Sequence, residues 1–159
     1  MGIVIKFKKR FRRKHKIGLC LSGGGVRGFA HLGAFKAFEE CGIKFDAVAG
    51  TSIGSAFAAF YAADVKFKEF YEICESVDGK SFVKQRFGIL PSKMDGLAEI
   101  LRETLPCKTI KELKMPYFAV AVDLKSGKEI DFDEGELIPI ITGSCAIPGV
   151  FLPVKYKNM

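Results

Sequence analysis

Apolar runs separated by polar or glycine-rich breaks divide this 159-residue chain into short strands and longer helices. Short apolar runs predict strands at 17–21 and 45–49, and each run ends at a turn rich in glycine and serine. Between them, small and apolar residues recur at helical spacing, at positions 26, 29, 30, 33, 34, 37, 38 and 41. This stripe predicts a helix from Val26 to Cys41, with Gly42 as its C′ cap. Strand, helix and strand in this order predict a parallel βαβ unit.

The rest of the chain continues the alternation of helices and strands. A small and apolar run predicts a long helix over 53–63, and Phe67, Phe70, Tyr71 and Cys74 fall at helical spacing after it. We expect a loop over 79–91, followed by a capping box at Ser92–Asp95 that starts a helix through Leu105. The buried face of that helix is predicted to carry Met94, Leu97, Ala98 and Leu101. Farther on, the pattern predicts a hairpin in which a turn at Lys125–Lys128 joins strands 117–122 and 129–132. It also predicts a helix from about Glu136 to Cys145.

The turn after the second strand has the form G-x-S-x-G, with Ser52 at its centre. Between a strand and a helix, this pattern is typical of the nucleophile elbow, in which a sharp turn exposes the serine hydroxyl. Gly50 and Gly54 would remove the side-chain clashes that such a turn creates. The helix that begins at Ile53 would direct its amide N–H groups at whatever Ser52 attacks. The alternative is an ordinary tight turn.

The turn after the first strand, Gly23–Gly28, has the form G-x-G-x-x-G. One interpretation is a dinucleotide-binding loop, which requires an acidic residue at the end of the second strand. Asp46 stands at the beginning of that strand instead. The other interpretation is an oxyanion hole, in which glycine amides converge on one oxygen at a helix N-terminus. Since both turns leave the carboxyl ends of adjacent parallel strands, we expect them to face each other across one crevice.

A serine nucleophile needs a partner that accepts its proton. In an α/β-hydrolase triad the histidine follows the serine in the chain, whereas His15 and His31 both precede Ser52. We expect a surface or pairing role for His31. A pair of serine and carboxylate therefore remains as the alternative to a triad.

The net charge of +7 is concentrated at the start of the chain. Residues 1–16 hold eight basic residues and no acid, so we separate a basic tail, 1–16, from a nearly neutral domain, 17–159. The tail is either a solvated arm or a contact for an anionic membrane surface, and nucleic acid is the less favoured partner. No signal peptide or membrane-spanning helix is predicted. The five scattered cysteines indicate reduced thiols, which favours a location in the cytoplasm. The alternative location is peripheral, at the membrane surface.

Taken together, the motifs resemble the patatin-like phospholipase family over 17–154. The resemblance rests on the two glycine turns, the Asp123–Gly127 turn and the Ser144–Phe151 block. It implies a three-layer α/β/α fold with a mainly parallel sheet, and a Ser–Asp dyad that hydrolyses lipid acyl esters without metal or cofactor. Carried onto this chain, Ser52 would be the nucleophile, with an oxyanion hole formed by Gly23, Gly24, Gly25, Arg27, Gly28 and Ile53. Arg27 would orient that loop or contact lipid phosphate.

The chain departs from the family pattern at the catalytic aspartate. That residue lies in an Asp-Gly-Gly or Asp-Gly-Ala sequence shortly after the segment equivalent to 151–154, and this chain stops at Met159. Asp78 and Asp95 also precede glycines, but they come before the Ser144–Phe151 block and are not expected to act as the acid. We therefore expect a C-terminally incomplete domain that is marginally stable or associates. The alternatives are an inactive lipid-binding form of the fold and a nucleotide-binding module that uses Gly23–Gly28.

Overall fold

The computed structural model describes residues 16–76 and 93–158, in which four strands form one sheet. Their order across the sheet follows the chain: β1 (Gly18–Leu21), β2 (Ala47–Thr51), β3 (Tyr117–Asp123) and β4 (Lys128–Phe132). The first three are parallel and β4 pairs antiparallel to β3. The predicted βαβ unit and the predicted hairpin are therefore both confirmed.

Five α-helices and two short 3-10 helices occur in the same described residues. The α-helices are α1 (Ala30–Glu40), α2 (Ile53–Ala62), α3 (Phe67–Ser76), α4 (Asp95–Thr104) and α5 (Leu137–Cys145), and the 3-10 helices are Gly25–Phe29 and Ile110–Glu112. Gly42 has a φ of +66° and donates its N–H to the Glu39 carbonyl, so it closes α1 as predicted.

Helix α2 forms the centre of the core. Nine of its ten residues are buried, and it contacts β1, β2 and β3. Its glycine, serine and alanine residues allow the helix to lie close to the strands, while Phe57 and Phe60 point toward the neighbouring helices. Burial of each of these phenylalanines contributes roughly 1.5–3 kcal/mol. Phe70 of α3 packs against both rings, with centroids 4.9 Å from Phe57 and 4.5 Å from Phe60.

The two faces of the sheet differ in their cover. Because the parallel strands follow one another in order and crossovers are right-handed, the connecting helices belong on the same face. Tyr117 and Ala119 point to that face and are 1% and 0% exposed. On the opposite face Phe118 and Val122 are 39% and 58% exposed, so the described residues leave much of it open. The α/β class with a mainly parallel sheet is confirmed, and the expected marginal stability stays a prediction.

The predicted apolar stripe of the first helix is wrong in its details. The segment begins with a 3-10 turn, and in α1 the buried residues are Leu32 and Phe35, whereas Gly33 and Ala37 are exposed. A 3-10 turn has three residues per turn instead of 3.6, so it rotates the following helix relative to a continuous α-helical stripe. The larger side chains at 32 and 35 then take the buried face.

Helix α4 begins later than a capping box at Ser92–Asp95 would place it. The helix begins at Asp95, its N-cap is Met94, and no side chain caps it. The predicted buried face is confirmed, since Leu97, Ala98 and Leu101 are buried and Met94 is partly buried.

Several predictions lie outside the described residues. They are the basic tail up to residue 15, the loop over 79–91, Ser92 of the capping box and Asp78. Within the described ranges, no helix has the length and apolar character needed to cross a membrane.

Candidate active site

Ser52 occupies a strained position between β2 and α2. Its φ of 51° and ψ of −133° lie in a region that non-glycine residues rarely adopt, and such strain is concentrated at functional sites. The residue is half-buried and serves as the N-cap of α2. A turn of this kind holds a hydroxyl at the carboxyl end of a strand, beside the unbonded amides of a helix N-terminus.

The two glycines of the elbow are required by their surroundings. A Cβ on Gly50 would lie 2.3 Å from the Gly54 carbonyl oxygen. A Cβ on Gly54 would lie 2.3 Å from the Leu21 carbonyl oxygen and 2.6 Å from that of Ser22. All three clashing atoms belong to the backbone and cannot rotate away. The start of α2 therefore packs directly on the end of β1.

The glycine loop lies against the elbow, as the sequence predicted. A Cβ on Gly23 would lie 3.1 Å from Ser52 Cβ and 3.7 Å from Ser52 Oγ. A Cβ on Gly28 would lie 2.6 Å from Ile53 Cγ2. Gly25 has a φ of +54° and opens the 3-10 helix, whose first amides have no acceptor within that helix. The arrangement therefore places amide donors and a serine hydroxyl at one end of the sheet.

Both polar groups of the Ser52 backbone are hydrogen-bonded by serine residues. The Ser52 N–H donates to Ser144 Oγ at 2.7 Å, and Ser144 Oγ donates to the Val120 carbonyl at 2.6 Å. The Ser52 carbonyl accepts from Ser55 Oγ at 2.6 Å and from the Ser55 N–H at 2.8 Å. The N–H of Ser52 is therefore already satisfied, which leaves the glycine loop and Ile53 as the nearby amide donors.

Cys145 lies beside the Ser52 hydroxyl at the end of α5. Burial raises the pKa of this thiol to about 12, although its hydrogen bond with Ser52 acts in the opposite direction. The thiol therefore stays protonated at neutral pH and cannot accept the serine proton. Burial likewise raises the pKa of Tyr117, whose hydroxyl donates to the Ser55 carbonyl.

Within residues 16–76 and 93–158, no carboxylate or imidazole forms a hydrogen bond with the Ser52 hydroxyl. His31 Nε2 lies 3.0 Å from the Ser22 carbonyl, which agrees with the predicted pairing role. Asp123 is occupied by its own turn, where it accepts from the Ser126 hydroxyl and two backbone amides. Asp95 is exposed at the start of α4.

Two further predicted features can be placed. The Arg27 side chain is exposed and forms no ion pair with the residues that the structure describes. Asp46 precedes β2 and accepts the Ile17 N–H at 2.7 Å, at the end of the sheet opposite the glycine loop. In the described part of the chain, the loop therefore lacks the acidic residue at the end of β2 that the dinucleotide interpretation requires. The described part of the chain also holds no cluster of three or more residues suited to bind a metal ion.

The sequence model of patatin-like phospholipases matches residues 19–159. The chain belongs to the patatin-like phospholipase family. An uncharacterised NTE family protein of Mycobacterium bovis is 33% identical over 144 residues, covering 87% of this chain and 39% of that protein. The lysophospholipase NTE1 of Coccidioides immitis is 44% identical over 73 residues, covering 46% of this chain and 5% of the fungal protein. This patatin-like chain spans less than half of either protein.

A solved structure agrees with the fold. A chain in the complex of SpcU with ExoU, from the type III secretion system of Pseudomonas aeruginosa, superimposes with a TM-score of 0.59 and 17% identity. The alignment covers 90% of the patatin-like chain and 41% of that chain. At this identity the likeness supports the α/β fold alone.

The sequence reasoning missed three residues of the site: Ser55, Ser144 and Cys145. Ser144 and Cys145 belong to the block used for the family resemblance, but no pattern gave them a role. Ser144 is 92 residues from Ser52, so only the folded chain brings them together. The one available signal was the small polar character of Ser144 near the end of a mostly apolar helix.

Proposed function

We propose that the chain carries the nucleophile and oxyanion hole of a serine hydrolase that cleaves lipid acyl esters. The observation that carries the proposal is the strained backbone of Ser52, which sits between a parallel strand and a buried helix with the glycine loop against its side chain. Strain of this kind persists only where the surrounding structure enforces it. The family match and the lysophospholipase relative support a lipid ester as the substrate class.

In the proposed reaction, Ser52 Oγ attacks the ester carbonyl and loses its proton to a base. The carbonyl oxygen becomes an oxyanion, which the amides of the Gly23–Gly28 loop and of Ile53 stabilise, and Arg27 helps to orient the loop or contacts lipid phosphate. Collapse of this intermediate breaks the ester C–O bond, and the leaving alcohol takes the proton back from the base. Water, which gives a proton to the same base, then hydrolyses the acyl-serine to the free acid and restores the Ser52 hydroxyl. Loss of one such amide donor typically costs a factor of about 10²–10³ in rate.

The proposed base is the aspartate of a Ser–Asp dyad, from outside the described residues. The proposal is supported by elimination within those residues, since Cys145 keeps its proton and Asp123 is engaged by its turn. The same elimination favours a second candidate, a non-catalytic lipid-binding form of the fold. In that case the basic segment 1–16 would bind anionic vesicles in a salt-sensitive manner, and its deletion would abolish this binding.

Labelling with a fluorophosphonate probe separates the two candidates. We expect the hydrolase to be labelled at Ser52, and we expect Ser52→Ala to abolish labelling. Ser126→Ala is the matched control, because Ser126 is an exposed serine in a glycine turn that already bonds a carboxylate. A longer form that carries a downstream Asp-Gly-Gly or Asp-Gly-Ala sequence should be labelled faster, and its aspartate should be required. Absence of labelling in both forms, or labelling that survives Ser52→Ala, contradicts the proposal.

A further inference from the structure

The hydroxyl of Ser144 lies between the amide of Ser52 and the carbonyl of Val120. It accepts from the first at 2.7 Å and donates to the second at 2.6 Å. Both distances are at the short end of the range for such bonds, so the hydroxyl is held firmly from both sides. Ser144 itself is fixed by its place in the last turn of α5, a helix that packs on β3 and α2.

The register of the sheet explains why a hydroxyl is needed there. Val48 lies opposite Tyr117, and the Val48 N–H donates to the preceding carbonyl, that of Pro116, at 3.0 Å. In a parallel ladder this pattern repeats every second residue. Moving the pattern four residues along both strands replaces Val48 by Ser52 and Pro116 by Val120. The ladder would therefore direct the Ser52 N–H at the Val120 carbonyl. Ser144 is inserted at the point where the ladder would otherwise make its next direct bond.

We propose that Ser144 is a positioning residue that holds Ser52 out of the β2–β3 ladder through this relayed hydrogen bond, a role that rests on Ser52 being the nucleophile. The inserted hydroxyl lets the strand turn away into positive φ while the buried amide keeps a partner. Without it, the Ser52 amide can regain a partner by bonding Val120 directly. That bond would draw Ser52 back toward the extended strand conformation and away from the glycine loop.

The relay places a specific demand on the side chain at 144. It requires one group that both accepts and donates a hydrogen bond, which serine and threonine provide and alanine does not. Substrate contacts play no part in this function. The expected defect is therefore in the reaction step and not in the binding of the ester or probe.

The first test measures fluorophosphonate labelling of the full chain as a function of probe concentration. For Ser144→Ala we expect the maximal labelling rate to fall about 10- to 100-fold, as for small displacements of a reacting group. The probe concentration that gives half of the maximal rate should stay within about twofold of the wild-type value. Ser144→Thr should restore most of the rate. Thr142→Val is the matched control, because it removes a buried hydroxyl of α5 that bonds only to carbonyls of its own helix. Equal losses in Ser144→Ala and Thr142→Val, or no loss in either, would overturn the proposal.

The second test does not require activity. In amide exchange followed by NMR, the Ser52 N–H should be protected in the wild type, with an altered chemical shift in Ser144→Ala and near wild-type behaviour in Ser144→Thr. A crystal structure of Ser144→Ala should show Ser52 with negative φ and its amide on Val120. If the wild type is not labelled, the proposed function fails but these two measurements still decide the relay. An unchanged Ser52 shift and backbone in Ser144→Ala would contradict it.

Discussion

Two serine- and glycine-containing turns follow neighbouring strands at the same end of the sheet, and their surroundings are opposite. The elbow, Gly50–Gly54, is enclosed by backbone, so that a Cβ on either of its glycines would meet an oxygen at 2.3 Å. The hairpin turn, Asp123–Lys128, lies at the surface, and a Cβ on Gly127 would meet no atom of the described residues within 4 Å. Gly127 is glycine because of its φ of +69°, whereas Gly50 and Gly54 are glycine because of crowding.

The serines of the two turns differ in the same way. Ser126 donates to the Asp123 carboxylate at 2.6 Å, so the hairpin holds the pair of groups that a Ser–Asp dyad needs. Among the residues that the structure describes, this turn has no helix N-terminus and no facing glycine loop, and its serine has no positive φ. Ser52 has all three features and lacks a carboxylate among the described residues. The environment of the turn therefore marks the candidate site, whereas a serine–carboxylate contact alone does not.

The largest expected effect comes from adding a methyl group to the crowded turn. Gly54→Ala would place Cβ against the Leu21 and Ser22 carbonyls and push α2 from β1, so we expect the free energy of unfolding to fall by about 3 kcal/mol or more. Urea denaturation measures it. Gly33→Ala, at an exposed and uncrowded position of α1, is the control and should stabilise by about 0.5–1 kcal/mol. If Gly54→Ala costs less than 1 kcal/mol, the elbow is not enclosed as described.

The next effect isolates the strain at Ser52. Glycine adopts a positive φ freely and alanine does not. The free energy of unfolding should therefore be about 1–2 kcal/mol larger for Ser52→Gly than for Ser52→Ala. The same pair at Ser126, which has no positive φ, should show no such advantage for glycine. Both comparisons use urea denaturation. Equal stability of the two Ser52 variants would mean that the elbow backbone is not strained.

The elements of the fold were largely predictable, because they depend on local patterns. Short apolar runs predicted the strands. Gly42 predicted the end of α1, because glycine readily adopts the αL conformation that closes a helix. The prediction failed where a local rule met a tertiary constraint. The 3-10 turn after Gly24 rotates α1, and α4 begins at Asp95 without a side-chain cap.

The candidate site was predictable only in part. Each glycine motif could be located because a turn of this kind has a local signature, and their meeting followed from the parallel order of the strands. The contacts of Ser52 with Ser144 and Cys145 could not be predicted, since a single hydroxyl or thiol in a helix has no pattern. Their roles depend on the register of β3 and the packing of α5, which only the folded chain fixes.

A smaller effect is expected at the glycine of the open turn. Gly127→Ala must adopt a φ near +69° but meets no neighbour, so we expect a loss of about 1 kcal/mol in the free energy of unfolding. Gly127→Asn should cost less, because asparagine tolerates this region. Urea denaturation of the three proteins decides the matter. A loss as large as that of Gly54→Ala would remove the distinction between the two turns.

The smallest effect concerns the Asp123 carboxylate. Its hydrogen bond from the Ser126 hydroxyl, followed by that from the Lys125 amide, lowers the pKa of Asp123 below its usual range. A lowered pKa in the folded state stabilises the protein above the unfolded-state pKa of about 4, and this stability is lost as the pH falls through the folded pKa. The difference in urea midpoint between wild type and Asp123→Asn should therefore be constant from pH 7 to 5 and shrink below pH 4.

The same variant tests which turn holds the chemistry. Asp123→Asn removes the one carboxylate that bonds a serine hydroxyl at this end of the described sheet, so a base function of Asp123 would abolish fluorophosphonate labelling. We expect the labelling rate at Ser52 to stay within about twofold of the wild type, because Asp123 bonds its own turn and not the elbow. A large loss of labelling with an unchanged urea midpoint would contradict this expectation and would identify Asp123 of the hairpin as the base.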